Sequence, residues 1–139
     1  MKKINLSILL LLFNYLGFTQ TNIQWIKYPS ISPDGSQIAF GYKGDIYLVP
    51  STGGIATPLT IHESHDMMPI WSGDGKTIAF ASDRYGNFDI FTIPVEGGIP
   101  KRITFHSSAD YPQDFSPDNQ RILFTSARII SSSNVRFYS

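Results

Sequence analysis

The sequence predicts an all-β fold, an incomplete β-propeller of about two and a half four-stranded blades. Three observations predict it. Three hairpin turns, Ser32-Pro33-Asp34-Gly35, Ser72-Gly73-Asp74-Gly75 and Ser116-Pro117-Asp118-Asn119, recur at spacings of 40 and 44 residues. Each turn is followed by the same apolar triplet, Ile38-Ala39-Phe40, Ile78-Ala79-Phe80 and Ile122-Leu123-Phe124. No stretch after residue 24 carries a helical period, and repetition at this length is the mark of a repeat architecture.

Within one repeat the elements follow from local chemistry. Pro69 to Ser72 reads as a first strand and Thr77 to Ala81 as a second, with Ile78 and Phe80 on one face under the period of two. Asp74-Gly75 turns the chain between them, because glycine accepts a positive φ and the carboxylate can accept a backbone N–H just ahead of it. Asn119 fills the glycine position of the third copy, since asparagine tolerates the left-handed region. Phe88 to Pro94 reads as the third strand, Glu96-Gly97-Gly98 as the next turn, and Lys101 to Thr104 as the outermost strand. Asp45-Ile46-Tyr47, Gly53-Gly54-Ile55 and Leu59-Thr60 find their partners 44 residues on, at Asp89-Ile90-Phe91, Gly97-Gly98-Ile99 and Ile103-Thr104. The extra four residues therefore lie in one hairpin tip, where Gly41 to Gly44 becomes Ala81 to Phe88.

These units divide the chain into residues 1–20, a signal peptide; 25–66, blade 1; 67–110, blade 2; and 111–139, a partial, truncated blade 3. The leader is expected from the basic start Met1-Lys2-Lys3 and the apolar run Ile4 to Phe13, which is too short for the ~20 residues of a spanning helix. The protein is thus expected to be exported, periplasmic or extracellular, with no permanent membrane anchor. Eleven basic residues balance eleven acidic ones, which leaves no footprint for nucleic acid. With no cysteine, disulfides, thiolate metal sites, a cysteine nucleophile and a lipidated cysteine are excluded.

A bulky apolar group stands before each turn serine, as Ile31, Trp71 and Phe115. It is expected to pack between blades, where a buried aromatic contributes on the order of 2–3 kcal/mol. A closed propeller takes roughly 4–8 blades, so the three copies cannot close a ring alone and leave an apolar face half covered.

The pattern from Pro69 to Thr104, with Trp71-Ser72, Asp74-Gly75, Ile78-Ala79-Phe80, Ser82-Asp83-Arg84, Gly86, Asp89-Ile90-Phe91, Gly97-Gly98 and Ile103-Thr104, resembles the TolB-type repeat. That blade occurs in TolB, in tricorn-type proteases, in prolyl-oligopeptidase relatives and in some amidohydrolases, so the resemblance implies architecture and not activity. The opening from Tyr28 to Gly35, followed by Lys43-Gly44-Asp45-Ile46-Tyr47, is similar to the first blade of exported tricorn-like serine peptidases. Only a handful of residues lie between the expected signal peptide and Pro29, whereas TolB places an α/β domain before its blades. The resemblance implies a non-catalytic propeller that gates or recognises peptides at a face or channel, in a parent whose remaining blades, PDZ-like domain and serine-protease core lie elsewhere. The alternative is a TolB-like protein-binding scaffold without enzymatic activity, and a third reading is an amidohydrolase or prolyl-peptidase relative.

No catalytic, cofactor-binding or metal-binding residue is assigned, and no cofactor is expected. Ser32, Ser72 and Ser116 lack a nucleophile elbow and sit at equal repeat positions, which is the pattern of a structural residue. His62-Glu63-Ser64-His65-Asp66 gathers ligands zinc would accept, but it lies on a crossover, with His62 and Asp66 echoed by His106 and Asp110. It is read as a solvated, turn-capping loop. Asp83-Arg84 is read as a turn cap with Arg84 in solvent.

Overall fold

The computed structural model describes residues 25–128 and the strand at 135–138. The expected signal peptide, residues 1–20, lies outside the described residues. These form three antiparallel sheets and no helix. The first contains β1 (Lys27–Ile31), β2 (Gln37–Tyr42), β3 (Asp45–Pro50) and β4 (Thr57–Pro58), in that spatial order. The second repeats the meander as β5 (Asp66–Trp71), β6 (Thr77–Ser82), β7 (Asp89–Pro94) and β8 (Lys101–Arg102). β9 (Asp110–Phe115), β10 (Ile122–Ser126) and β11 (Val135–Tyr138) begin a third. Asp66 and Asp110 open the first strand of the next sheet, whereas the sequence division left each at the end of the preceding blade.

The turns form as their residues require. Gly35 and Gly75 have φ of 73° and 70°, and Asn119 occupies the same region at 58°. One feature has no sequence signal: Tyr28 and Met68 also carry positive φ, 54° and 55°, at equal places in β1 and β5. Each sits where the pairing register shifts, between Lys27 and Ser30 and between Met67 and Ile70. A bulge absorbs one extra residue there and bends the strand, at a backbone cost of about 1–3 kcal/mol.

Stacking puts opposite faces of consecutive sheets together. Trp71, Ile78, Phe80, Phe91 and Ile93 form the leading face of blade 2 and pack on Ala39, Ile46 and Leu48, the trailing face of blade 1. On the other side, Ala79 and Ile90 of blade 2 meet Ile122 and Phe124 of blade 3. β6 is consequently buried on both faces, from Ile78 to Ser82. Burial of each such side chain contributes roughly 1.5–3 kcal/mol, so the blades are held chiefly by one another. Trp71 also donates its indole N–H to the carbonyl of Ser30, 3.0 Å away in the neighbouring blade. The first strands lie side by side, β1 by β5 and β5 by β9, which makes them the inner edge of the stack.

Candidate functional site

The turn serines are occupied by structure. Ser32 Oγ donates to Asp34 Oδ1 at 2.6 Å and accepts the N–H of Gln37 at 2.9 Å. Ser72 does the same with Asp74 and Thr77, at 2.6 and 3.0 Å. Ser116 completes the series with Asp118 and Arg121. The donor proton is already committed to a carboxylate and all three serines are buried, so none is poised to attack a substrate. The bonds act on the acids in turn. The Ser32 hydroxyl, helped by the N–H and hydroxyl of Ser36, lowers the Asp34 carboxyl from 3.8 to about 2. Asp74 is lowered first by Ser72 and then by the Lys76 N–H, and Asp118 first by Ser116 and then by the Gln120 N–H.

The opposite end of the sheets carries the β2–β3 and β6–β7 hairpins and the crossovers between blades, and here two expectations need correction. Asp66 is not part of a solvated loop. It is 1% exposed and pairs with Arg84, 2.7 Å from Nη2 to Oδ2. Arg84 is likewise not in solvent, because its side chain is 13% exposed, donates from Nε to Ser82 Oγ at 3.1 Å, and lies over Phe80 and Phe91. The longer hairpin allows this, folding its Arg back across the start of the inner strand. Blade 3 repeats the arrangement with Arg128 on Asp110. The signal was present in the sequence, as an Asp and an Arg 18 residues apart in two consecutive repeats.

The remaining crossover groups cap backbone. Asp83 Oδ1 accepts the N–H of His65 at 2.8 Å, so it caps the incoming crossover rather than its own hairpin. His62 Nδ1 accepts the N–H of Ser64 at 3.0 Å, and His106 does the same for Ser108, which explains why this histidine recurs. Thr60 Oγ1 accepts the N–H of Ile46 and Thr104 Oγ1 that of Ile90. With Asp66 neutralised by Arg84 and His62 engaged with backbone, the acidic and imidazole groups of residues 62–66 do not converge. Among the described residues no group of three His, Cys, Asp or Glu is placed to hold a metal ion.

A recess lies at this end among the described residues. It measures about 170 Å³ and lies between blade 1 and the start of blade 2, lined by Trp25, Tyr28, Tyr42, His65 and Met67, with Asp66 among its walls. Gly44 belongs to the same wall, where a Cβ would come 3.6 Å from the His65 ring and narrow the opening. Asp66 Oδ1 is buried without a hydrogen-bond partner, as is Asp110 Oδ1 at the equivalent place in blade 3, and the Asp66 side chain presents no surface to the recess. A cleft of about 450 Å³ runs along the turns at the other end, but its Ser32 and Asp34 groups are already paired. The recess differs from the cleft in having several aromatic walls, Trp25, Tyr28 and Tyr42, where the cleft has Trp71 among turn residues and the unpaired Gln37 Oε1. Sequence reasoning missed it because two blades must stack before it exists.

Two four-stranded meanders and a third sheet of three strands among the described residues, joined leading face to trailing face, define an incomplete β-propeller of the TolB type. Residues 23–139 match the tricorn protease N-terminal beta propeller domain, and the chain belongs to that family. It is similar to an uncharacterized peptidase, YuxL, of Bacillus subtilis (strain 168), with 32% identity over 77 residues, covering 48% of this chain and 12% of the relative. A putative TolB from Agrobacterium tumefaciens superposes with a TM-score of 0.70 at 29% identity, over 84% of this chain and 46% of that one. The tricorn protease superposes at 0.64 with 18% identity, over 82% of this chain and 12% of that one, a likeness of fold alone. The chain thus spans less than half the length of each of these proteins. Among the described residues no helix is long and apolar enough to cross a membrane.

Proposed function

We propose that this chain is the propeller portion of an exported, tricorn-like serine peptidase and that it recognises or admits peptides without cleaving them. The observation that carries the reading is the match to the tricorn N-terminal propeller over residues 23–139. The similarity to a protein described as a peptidase agrees with it. So does the chemistry of the blades, in which the recurrent serines are bound up in turns and catalysis is left to another part of the parent protein. The recess at Trp25, Tyr28 and Tyr42 is the place for an apolar or aromatic peptide side chain. Export to the periplasm or cell exterior follows from the basic and apolar start of the sequence.

The test uses short peptides with aromatic or long aliphatic side chains. They should bind the chain, quench the exposed Trp25 and remain uncut on prolonged incubation. Tyr42→Ala should weaken binding about tenfold, or ~1.4 kcal/mol, without changing the far-UV spectrum. Cleavage by the purified chain, or quenching unaffected by Tyr42→Ala, would sink the proposal. The second reading, a TolB-like scaffold that binds folded proteins, is favoured by the TM-score of 0.70 with a putative TolB. Capture of a folded partner with no affinity for free peptides would decide for it.

A further inference from the structure

The hairpin of blade 1 lacks a ring that the hairpin of blade 2 supplies. Gly44 and Phe88 hold the same place, because the carbonyl of each accepts the N–H of the first residue of the next inner strand, Asp66 at 2.7 Å and Asp110 at 2.8 Å. Phe88 then tilts against Tyr111, with ring centroids 5.6 Å apart, so that two rings occupy the junction between blades 2 and 3. At the junction between blades 1 and 2 the same two places hold Gly44 and Met67, and the recess of about 170 Å³ opens there. Its walls are Tyr28 and Tyr42 from blade 1 and His65 and Met67 from the approach to blade 2. The rim is basic. Lys27 and Lys43 line it and are both exposed, and Lys43 Nζ lies 5.3 Å from the centroid of the Tyr42 ring. Among the described residues neither lysine is in an ion pair. Asp66 does not offset them, since its carboxylate is buried against Arg84, and Asp83 Oδ1 is spent on the His65 N–H.

On the reading of this chain as a peptide-recognising propeller, we propose that the recess takes an aromatic side chain in the role Phe88 plays one blade on, and that Lys27 and Lys43 select peptides in which an acidic side chain stands next to the aromatic one. The ring is identified by the place it fills, since a phenyl group between Tyr42 and Met67 repeats the packing that Phe88 and Tyr111 make at the next junction. It gains affinity from apolar surface leaving water and from ring contacts. The acid is identified by charge, because the rim carries two cations and no free carboxylate. That attraction acts between exposed groups, so each pair contributes little and is screened by salt. The two parts of the ligand thus carry different signatures: the need for the ring persists at high salt, and the preference for the acid does not.

Titration calorimetry on the 139-residue chain tests it, with short peptides acetylated at the amino end and amidated at the other so that neither terminus is charged. A peptide with phenylalanine followed by aspartate should bind about fivefold tighter than the same peptide with asparagine at low ionic strength, the sum of two weak pairs. The advantage should vanish at about 0.5 M salt. Exchanging the phenylalanine for alanine should abolish binding of the aspartate peptide. Lys27→Gln with Lys43→Gln should erase the advantage and leave the affinity for the asparagine peptide unchanged, and both lysines are exposed, so the fold is not at stake. Equal affinity for the aspartate and asparagine peptides overturns the selection and leaves the peptide-binding reading standing. A preference for aspartate that survives the double lysine variant does the same. Tight binding of the aspartate peptide without its ring overturns the place given to the aromatic group, and failure of every peptide to bind overturns the selection and the peptide-binding reading together.

Discussion

Among the described residues blade 2 has a sheet on each side and blade 1 on one side, and the burial of their shared apolar positions differs accordingly. The same triplet is buried at Ile78-Ala79-Phe80 but leaves Ile38 half-buried in blade 1. The polar groups diverge as well. Asp89 is fully buried and is held by Arg102 at 2.6 Å and Thr104 at 3.2 Å. Its counterpart Asp45 is half-buried, has Pro58 where Arg102 stands, and accepts from the N–H of His62 at 3.0 Å. Asp66 meets Arg84, whereas Ile26 and a shorter hairpin replace that pair in blade 1. Deeper burial makes a carboxylate depend on a cation, because an unpaired buried charge costs several kcal/mol. Burial of the carboxylate and not the number of neighbouring sheets sets this need, since Asp110 in blade 3 is equally buried and is paired with Arg128.

The comparison can be broken most directly at the recurring apolar position. Trp71→Ala should lower unfolding free energy by about 4 kcal/mol, while Ile31→Ala should cost less than about 0.5 kcal/mol, as read by urea titration. Equal losses would show that blade 1 does not cover Trp71. Next comes the ion pair: Arg84→Ala strands a buried carboxylate and should cost about 3 kcal/mol, whereas Asp66→Leu with Arg84→Met should recover most of it. A double variant as weak as the single one would mean that the pair is itself a net source of stability.

Smaller effects sharpen the contrast by locating what the two blades share. Thr60→Val and Thr104→Val each remove a hydroxyl that caps a buried strand N–H, at Ile46 and Ile90, and should cost the same, about 1.5 kcal/mol. A marked difference between them would show that this cap, too, depends on the neighbouring sheet. The smallest effect is acid sensitivity. The Asp34 carboxyl lies lower in the folded chain than its ordinary 3.8, so its contribution is complete above that value and is lost as pH falls towards about 2. Ser32→Ala removes the chief cause of the shift and should raise the NMR-titrated value of Asp34 towards 3.8. No change would show that the Ser36 bonds suffice.

Much of this architecture was legible because it is local. The turns at Asp34-Gly35, Asp74-Gly75 and Asp118-Asn119, the apolar triplets and the hairpin tip with four added residues all lie within a few positions of the residues that cause them. What escaped depends on chain segments meeting. Asp66 finds Arg84 only when the hairpin folds over the inner strand, and Trp71 finds the Ser30 carbonyl across a blade boundary. The recess needs Trp25 and Tyr42 from one sheet and His65 and Met67 from the approach to the next. The bulges at Tyr28 and Met68 have no marker, since neither residue favours positive φ.

The hairpin between β6 and β7 has a practical corollary. It is longer than the one between β2 and β3, yet Asp45 and Asp89 open their strands in the same way, and Leu59 and Ile103 both donate their N–H to the carbonyl of the isoleucine that follows, at 2.7 Å. Added length there is spent at the tip and never reaches the flanking ladder. The longer tip at Gly86, where an added Cβ would meet nothing within 4 Å, is thus a natural attachment point, where a fluorophore-bearing or epitope-bearing insert can be lodged while the rest of the sheet keeps its pairing.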